Sequence, residues 1–392
     1  MRQLIVLVIL FSIVASPALA GGVIRPGATL GPRALGMAGA YNAVASDGSA
    51  FYHNVAGLTQ IKNNFIQLNA DLVIPRFEFN SQESEFILFP MPELAGAMHL
   101  SDKLVLGGGI YAPYGLGVTY SDGPFQESLL AVVNTTLSLS YQLTDTLSVG
   151  VGGDIGYGQL IYKSSLHQIG DVVIKPLFME TQADGFGLGF RAGVLWQPAD
   201  WFSWGLSYSS AMKIDLSGKT GIQLFGLDLG TDKFDASVSF PARWGTGIAL
   251  RPANDWLVAL DVNYFDHRQT DNIDFDFKLL PTIRQKLDWE SNWSTHLGVE
   301  HQLDEHWTVR TGVAWMQHAI PKTTANPIVP DGDGWCAGLG VGYQKNNWSV
   351  DVAYLHAWAE REVERSLGHL APGDYKAEVD VVSVGFTWKF GG

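Results

Sequence analysis

The chain has 392 residues and a formal charge of −14, from 25 Lys and Arg against 39 Asp and Glu, a balance that argues against a nucleic-acid partner. It carries 44 Gly, 13 Trp, 13 Tyr and 20 Phe but only 16% charged residues. Its single cysteine, Cys336, excludes an intramolecular disulfide framework and a cysteine-based zinc cluster.

Met1 to Ala20 reads as a cleaved secretory signal. Arg2 supplies the positive start, Leu4 to Val14 the apolar run, and Ala18-Leu19-Ala20 the small-residue cleavage site. That run is too short to span a bilayer as a helix, and no later stretch offers roughly 20 uninterrupted apolar residues. The mature chain is expected to be exported, with no Cys after the cleavage site to carry a lipid anchor.

Residues 21–61 form a segment rich in Gly, Ala, Ser and Asn. Thr29 to Leu58 has neither the alternation of a strand nor the apolar stripe of a helix, so it cannot bury much surface alone. From residue 62 to 392 the chain reads as wall. Leu147, Val149, Val151, Gly153, Ile155 and Tyr157 alternate with Ser148, Gly150, Gly152, Asp154, Gly156 and Gly158. The stretches beginning at Trp256, Trp307 and Trp348 repeat the scheme and end on Tyr264, Trp315 and Tyr354, and Val382 to Phe390 follows it too. From Trp256 to Tyr264 a strand advances roughly 26 Å at ~3.3 Å per residue. Tilted by ~40°, that is about 20 Å, so the rings flank an apolar band of ~25 Å. Such rings make an aromatic girdle on each side of a membrane.

Connections alternate in length. Short turns fall at Ser101–Lys103, Thr144-Asp145, Pro198–Asp200, Asn254-Asp255, Asp304-Glu305 and Asn346-Asn347. Longer links fall near Asn80–Glu85, Tyr120–Glu127, Ser164–Leu177, Ser217–Thr231, Thr270–Gln285, Ala319–Asp333 and Glu362–Tyr375. The fold class is therefore all-β: a transmembrane antiparallel barrel of about fourteen strands, with both termini in the periplasm. A lumen of that size lies between one that side chains fill and an open channel, so it needs a filling if it is not to leak. Residues 21–61 suit an N-terminal plug, because small residues permit close backbone approach.

No Gly-x-Ser-x-Gly, His-Glu-x-x-His or P-loop occurs, so neither catalysis nor a cofactor is expected. Gly338, Gly340 and Gly342 read as a lumen-facing stripe, and His296, His301 and His306 lack metal-type spacing. Asp261, Glu300, Arg310 and Lys389 are expected to pair across the interior. Lys163, near the outer end of its strand, is a candidate partner for a carboxylate ligand, with a plain surface role as the alternative.

Ala34–Ala40, Ala45-Ser46-Asp47 and Phe51-Tyr52-His53-Asn54-Val55-Ala56-Gly57-Leu58 resemble the hatch of the FadL/TodX family of outer-membrane transporters for long-chain fatty acids and other hydrophobic compounds. The similarity continues through Tyr111–Leu116, Leu195–Pro198, Leu206–Tyr208, Trp307 with Arg310–Gly312, and Pro330-Asp331. Three departures stand out. The family's Asn-Pro-Ala is Asn54-Val55-Ala56 here, the links at Ser164–Leu177 and Ser217–Thr231 are short for a surface capture groove, and Gly391-Gly392 follow the terminal aromatic Phe390.

The resemblance implies passive transport: capture at the outer loops, a lumen pocket beside the hatch, and sideways exit through a gap at a kink in the third strand. Phe51, Tyr52, Asn54, Val55, Ala56, Gly57 and Leu58 are then the hatch residues that contact or gate the ligand. Pro113, which lacks a ladder donor, and Gly115 and Gly117, which weaken pairing, are the candidates for the kink, with Asn54 and its neighbours expected beside that strand. The expected partners are a hydrophobic small molecule, outer-membrane lipid and the barrel assembly machinery, for a protein acting as a monomer. A plugged or nonspecific porin is the alternative function, and a lipid-modifying barrel enzyme a weaker one.

Overall fold

The computed structural model describes residues 30–121, 125–164, 167–169, 172–174, 177–279, 281–365 and 371–391. The expected signal segment, the first residues of the plug (21–29) and Gly392 lie outside them. Fourteen antiparallel strands form the wall. They are β1 (Asn64–Phe79), β2 (Phe89–His99), β3 (Leu104–Thr119), β4 (Phe125–Gln142), β5 (Leu147–Ser164), β6 (Leu177–Ala199), β7 (Phe202–Ser209 and Met212–Leu224) and β8 (Leu227–Phe240 and Ala242–Ala253). The second half comprises β9 (Trp256–Asp266), β10 (Asn292–Gln302), β11 (Trp307–Met316), β12 (Gly334–Lys345), β13 (Trp348–Val363) and β14 (Gly373–Phe390). β14 pairs with β1 from Asn64↔Phe390 to Phe79↔Tyr375, which closes the sheet on itself.

Side-chain parity identifies the surroundings. Val151, Ile155, Leu260, Val313 and Val384 stand exposed on the outside, while Ser148, Asp154, Asp261 and Arg310 are buried inside. A soluble protein sorts these residues the other way, so the outer face is a lipid face. Trp256, Trp307 and Trp388 ring its short-turn end, and Tyr354, Trp358, Trp293 and Trp335 ring the opposite end. Ring pairs such as Trp307–Tyr343 (4.8 Å) and Tyr264–Trp293 (4.6 Å) link neighbouring strands within each girdle.

Two of the expected long links are built differently. Ser217–Thr231 is a ladder, Ser217↔Asp235 to Leu224↔Leu227 with one register shift after Ile222, turning tightly at Phe225-Gly226. The inward alternation of Ile214, Leu216, Phe234, Ala236 and Val238 carries the hairpin on past the membrane. Thr270–Gln285 holds a hairpin, Asn272–Phe277 with Ile283–Lys286, that pairs on β8 at Phe234–Ala236.

Residues 30–61 lie within the lumen as a hatch of short pieces: α1 (Pro32–Gly36), α2 (Ala50–His53) and a 3-10 turn, Val55–Gln60. Pro32 opens α1 at a position whose N–H would be unbonded anyway. Asn54 ends α2 in extended conformation and accepts the Ala56 N–H (3.2 Å), so it starts the next turn. Small residues let the hatch touch backbone directly: a side chain at Gly57 would overlap the Ala45 carbonyl.

Candidate functional site

The lumen is layered. At its periplasmic end a chain of charges binds hatch to wall. Arg33 donates to both oxygens of Glu300 (2.8 Å each), Arg310 Nε donates to Glu300 Oε2 (2.7 Å), and Arg310 Nη1 reaches Asp351 (2.6 Å). These charge-assisted, partly buried bonds, bidentate between Arg33 and Glu300, are of the strong kind. Beneath them a polar cavity of about 480 Å³, lined by Asp47, Lys62, Glu300 and Lys389 among others, faces the short turns.

The expected pairing of four lumen charges needs correction. Glu300 and Arg310 do pair, but Asp261 accepts the backbone N–H groups of Tyr41 (2.7 Å) and Asn42 (2.6 Å), and Lys389 reaches Gln344 Oε1 (3.5 Å). Asp261 thus serves the orphan amides of the hatch, for which a buried carboxylate is a strong acceptor.

The hatch residues singled out from sequence occupy different sides of the lumen. Asn54 Nδ2 donates to Asn42 O (2.8 Å) and to Val194 O of β6 (3.0 Å), away from β3. Its neighbours are the ones that meet β3: Phe51 lies against Gly109 and Tyr111, and Leu58 against Gly107. Tyr52 stacks edge-on to Tyr111 (5.4 Å), and its carbonyl accepts from Arg191 (3.0 Å) and Arg243 (2.8 Å). The Val55 carbonyl accepts from Ser140 Oγ (2.5 Å), and Ala56 and Gly57 are fully enclosed. Burial first, and then the Arg243 charge, push the His53 imidazole well below its usual range, so it is neutral. Lys163 has the outward parity of Leu147 and Val151, and Glu127 (2.8 Å) and Glu180 (3.5 Å) hold it.

Above the hatch the lining turns apolar. One continuous cluster runs from Leu35 and Ala38 of the hatch through Ala314, Leu355, Val379 and Val73 to Phe89 and Met91 of β2, Ala112 and Val118 of β3, and Ile328 at the mouth. A second cluster, Met212, Ile214, Leu216, Phe234 and Phe240 with Tyr114, covers the facing wall.

The wall is not complete. β2 and β3 pair only from His99↔Val105 to Leu94↔Ile110, although β2 continues back to Phe89 and β3 onward to Thr119. Higher up, the Glu85 N–H donates to Thr119 O (2.8 Å), so the stretch without a β2–β3 ladder is a window with a lower and an upper edge. β3 also bulges there: Tyr111↔Asn134 is followed by Tyr114↔Val132, two residues against one on β4. Pro113, Gly115 and Gly117 all lie on this free edge. Pro90 and Pro92 on the opposite jamb have no ladder donor either, so two prolines spaced by two mark an edge strand, a signal that was present in the sequence.

The outer mouth is crossed by residues 317–333. Ile320 and Ile328 are fully buried, Asp331 accepts the N–H groups of Ala319 (2.8 Å) and Ile320 (2.7 Å), and Arg361 donates to Ile320 O. Tyr120, just past the upper edge of the window, donates to Pro327 O (3.3 Å).

A lipid-facing barrel with a bonded hatch, an apolar chamber and a side window defines a class of plugged outer-membrane transport barrel. The chain belongs to the outer membrane protein transport protein family (OMPP1/FadL/TodX), whose model matches residues 11–390. The long-chain fatty acid transport protein of Escherichia coli (strain K12) is 24% identical, over 77% of this chain and 75% of the relative. Among solved structures, a Pseudomonas aeruginosa FadL homologue matches with a TM-score of 0.84 at 17% identity, covering 96% of this chain and 100% of its own. The Ralstonia pickettii toluene transporter TbuX matches with a TM-score of 0.74 at 19% identity, covering 93% and 99%. Both share this fold.

Proposed function

We propose that this outer-membrane protein moves hydrophobic small molecules passively: in at the outer mouth, through the apolar chamber, and sideways through the β2–β3 window. The observation that carries this reading is the continuity of the apolar lining from Ile328 at the mouth to Phe89, Met91 and Val118 on the window jambs. The periplasmic side offers the opposite surface, a set of salt bridges at Glu300. At ~0.8 kcal/mol per buried CH₂, an acyl or hydrocarbon ligand strongly favours lipid over the aqueous end of the lumen. The ligand classes borne in the names of relatives, long-chain fatty acid and toluene, are both compatible with such a chamber. A nonspecific porin is disfavoured because the hatch is bonded across the cross-section by Arg33, Tyr41, Asn42 and Asn54.

Replacing both Gly115 and Gly117 with Val puts side chains on the free edge of β3. Uptake of a radiolabelled long-chain fatty acid and of toluene by cells is expected to fall, while barrel assembly and ligand binding in detergent persist. Wild-type uptake of both probes by an assembled double variant would place the way out elsewhere.

A further inference from the structure

Above Ile110 the ladder no longer ties β3 to β2, yet Tyr111, the next residue, is fully buried and held from several sides. Its hydroxyl accepts from Arg191 Nη2 and lies 3.2 Å from Thr136 Oγ1. Because Thr136 commits its own proton to Asp154, the Tyr111 hydroxyl is the donor in that bond. The Tyr111 ring lies 5.1 Å from Phe51 and 5.4 Å from Tyr52, with the Arg191 guanidinium 5.4 Å from its centre. Arg191 also donates to Asp154 (2.9 Å) and to the Tyr52 carbonyl (3.0 Å). One cluster therefore joins β3, β4, β5, β6 and the hatch.

Arg191 and Asp154 are each 5% exposed. A buried ion pair is a weak source of stability, and its best attested use is to fix register. The register here changes immediately after Tyr111, where two residues of β3 oppose one of β4. A regular strand would instead continue from Leu94↔Ile110 to set Tyr111 against Glu93. Pinned by its side chain toward β6 and the hatch, Tyr111 draws β3 off that course. Proline and glycine along the free edges permit the window, but nothing in them sets how wide it is.

We propose that Arg191 and Tyr111 are positioning residues that hold the β3 bulge from inside and thereby set the aperture of the side window. This rests on the window being the way out for ligand, as proposed above. The test uses full-length protein with Cys336→Ala and paired cysteines on the two jambs, Met91→Cys and Ala112→Cys. Tyr111→Phe and Thr136→Val remove hydroxyl bonds without unpairing a charge, and Arg191→Met with Asp154→Leu removes the ion pair as a unit. Each is expected to shift cross-linking of the cysteine pair from a longer to a shorter bifunctional thiol reagent. Transfer of a pyrene-labelled fatty acid from the protein to lipid vesicles should slow several-fold, with equilibrium binding of that probe unchanged. An unchanged cross-linking pattern in the assembled variants overturns the proposal. Should the double variant not assemble, the two hydroxyl variants decide it. A direct disulfide between the jamb cysteines in the otherwise unaltered protein separates the two readings: undiminished transfer there refutes lateral release and leaves the aperture result standing.

Discussion

Asp331 is buried beneath the outer segment it holds. One carboxylate oxygen accepts two backbone N–H groups, and the other has no partner among the described residues. Burial pushes the carboxyl up to about 6 from an ordinary 3.8, against the pull of the two amides, Arg361 and His318. A carboxyl raised in this way contributes most when protonated, so its contribution is lost as pH rises through the raised value. Corrected for the intrinsic base-catalysed exchange rate, backbone amides of residues 319–333 should therefore be better protected at about pH 5 than at about pH 7.5, as linkage requires. Asp331→Asn should abolish that difference, and the same pH dependence of protection in the variant would show that Asp331 is not the group responsible. At the same scale Lys163 lies in an ion pair with Glu127 and Glu180 on the outward face, and any ligand carboxylate meeting it must compete with both.

Among the wall strands, parity decides which substitutions are tolerated. Val258 of β9 and Val309 of β11 share the outward face with Leu260 and Val313. A lysine at Leu260 or Val313, nearer the middle of the bilayer, should cost about 2–4 kcal/mol. Denaturant unfolding of the barrel refolded in lipid vesicles measures that cost, and unchanged midpoints in both variants would reverse the inward and outward faces. The same parity is legible in the amino-acid sequence, because alternation is a property of adjacent residues: Asp154 and Arg191 both fall on the inward side of their strands. Strand continuation past the membrane is less legible. Ser217–Thr231 contains Gly, Lys and Asp, which mimic loop composition, and only the pairing of Ser217–Leu224 with β6 on one side and β8 on the other shows that it is ladder.

For the whole molecule, the contacts between hatch and wall are distributed around the lumen: Arg33 to β10, Asn42 and Tyr41 to β9, Asn54 to β6, and Val55 to β4. Cysteines placed at Ala40 and Asn54 in a Cys336→Ala background should therefore resist bulky thiol reagents in the intact protein. A cysteine at Trp201, on an exposed turn, should react readily as the control. Ready labelling at both hatch positions would mean that the hatch leaves the lumen in solution.

What the amino-acid sequence determined by itself was local and periodic. Alternation, aromatic strand ends and the rhythm of short and long connections specify a lipid-facing barrel, and a run of small residues specifies something packed within it. Those signals survive in one dimension because a strand's faces repeat every second residue. The site's working contacts were of another kind. Arg191 and Tyr111 are 80 residues apart, and Arg33 and Glu300 are 267 apart. Whether they meet depends on how each strand is offset against the next and on closure of β14 onto β1, which no single stretch encodes. The window has the same origin. Pro90, Pro92 and Pro113 remove ladder donors on two strands, but only the register between β2 and β3 brings those defects face to face and leaves a gap between them.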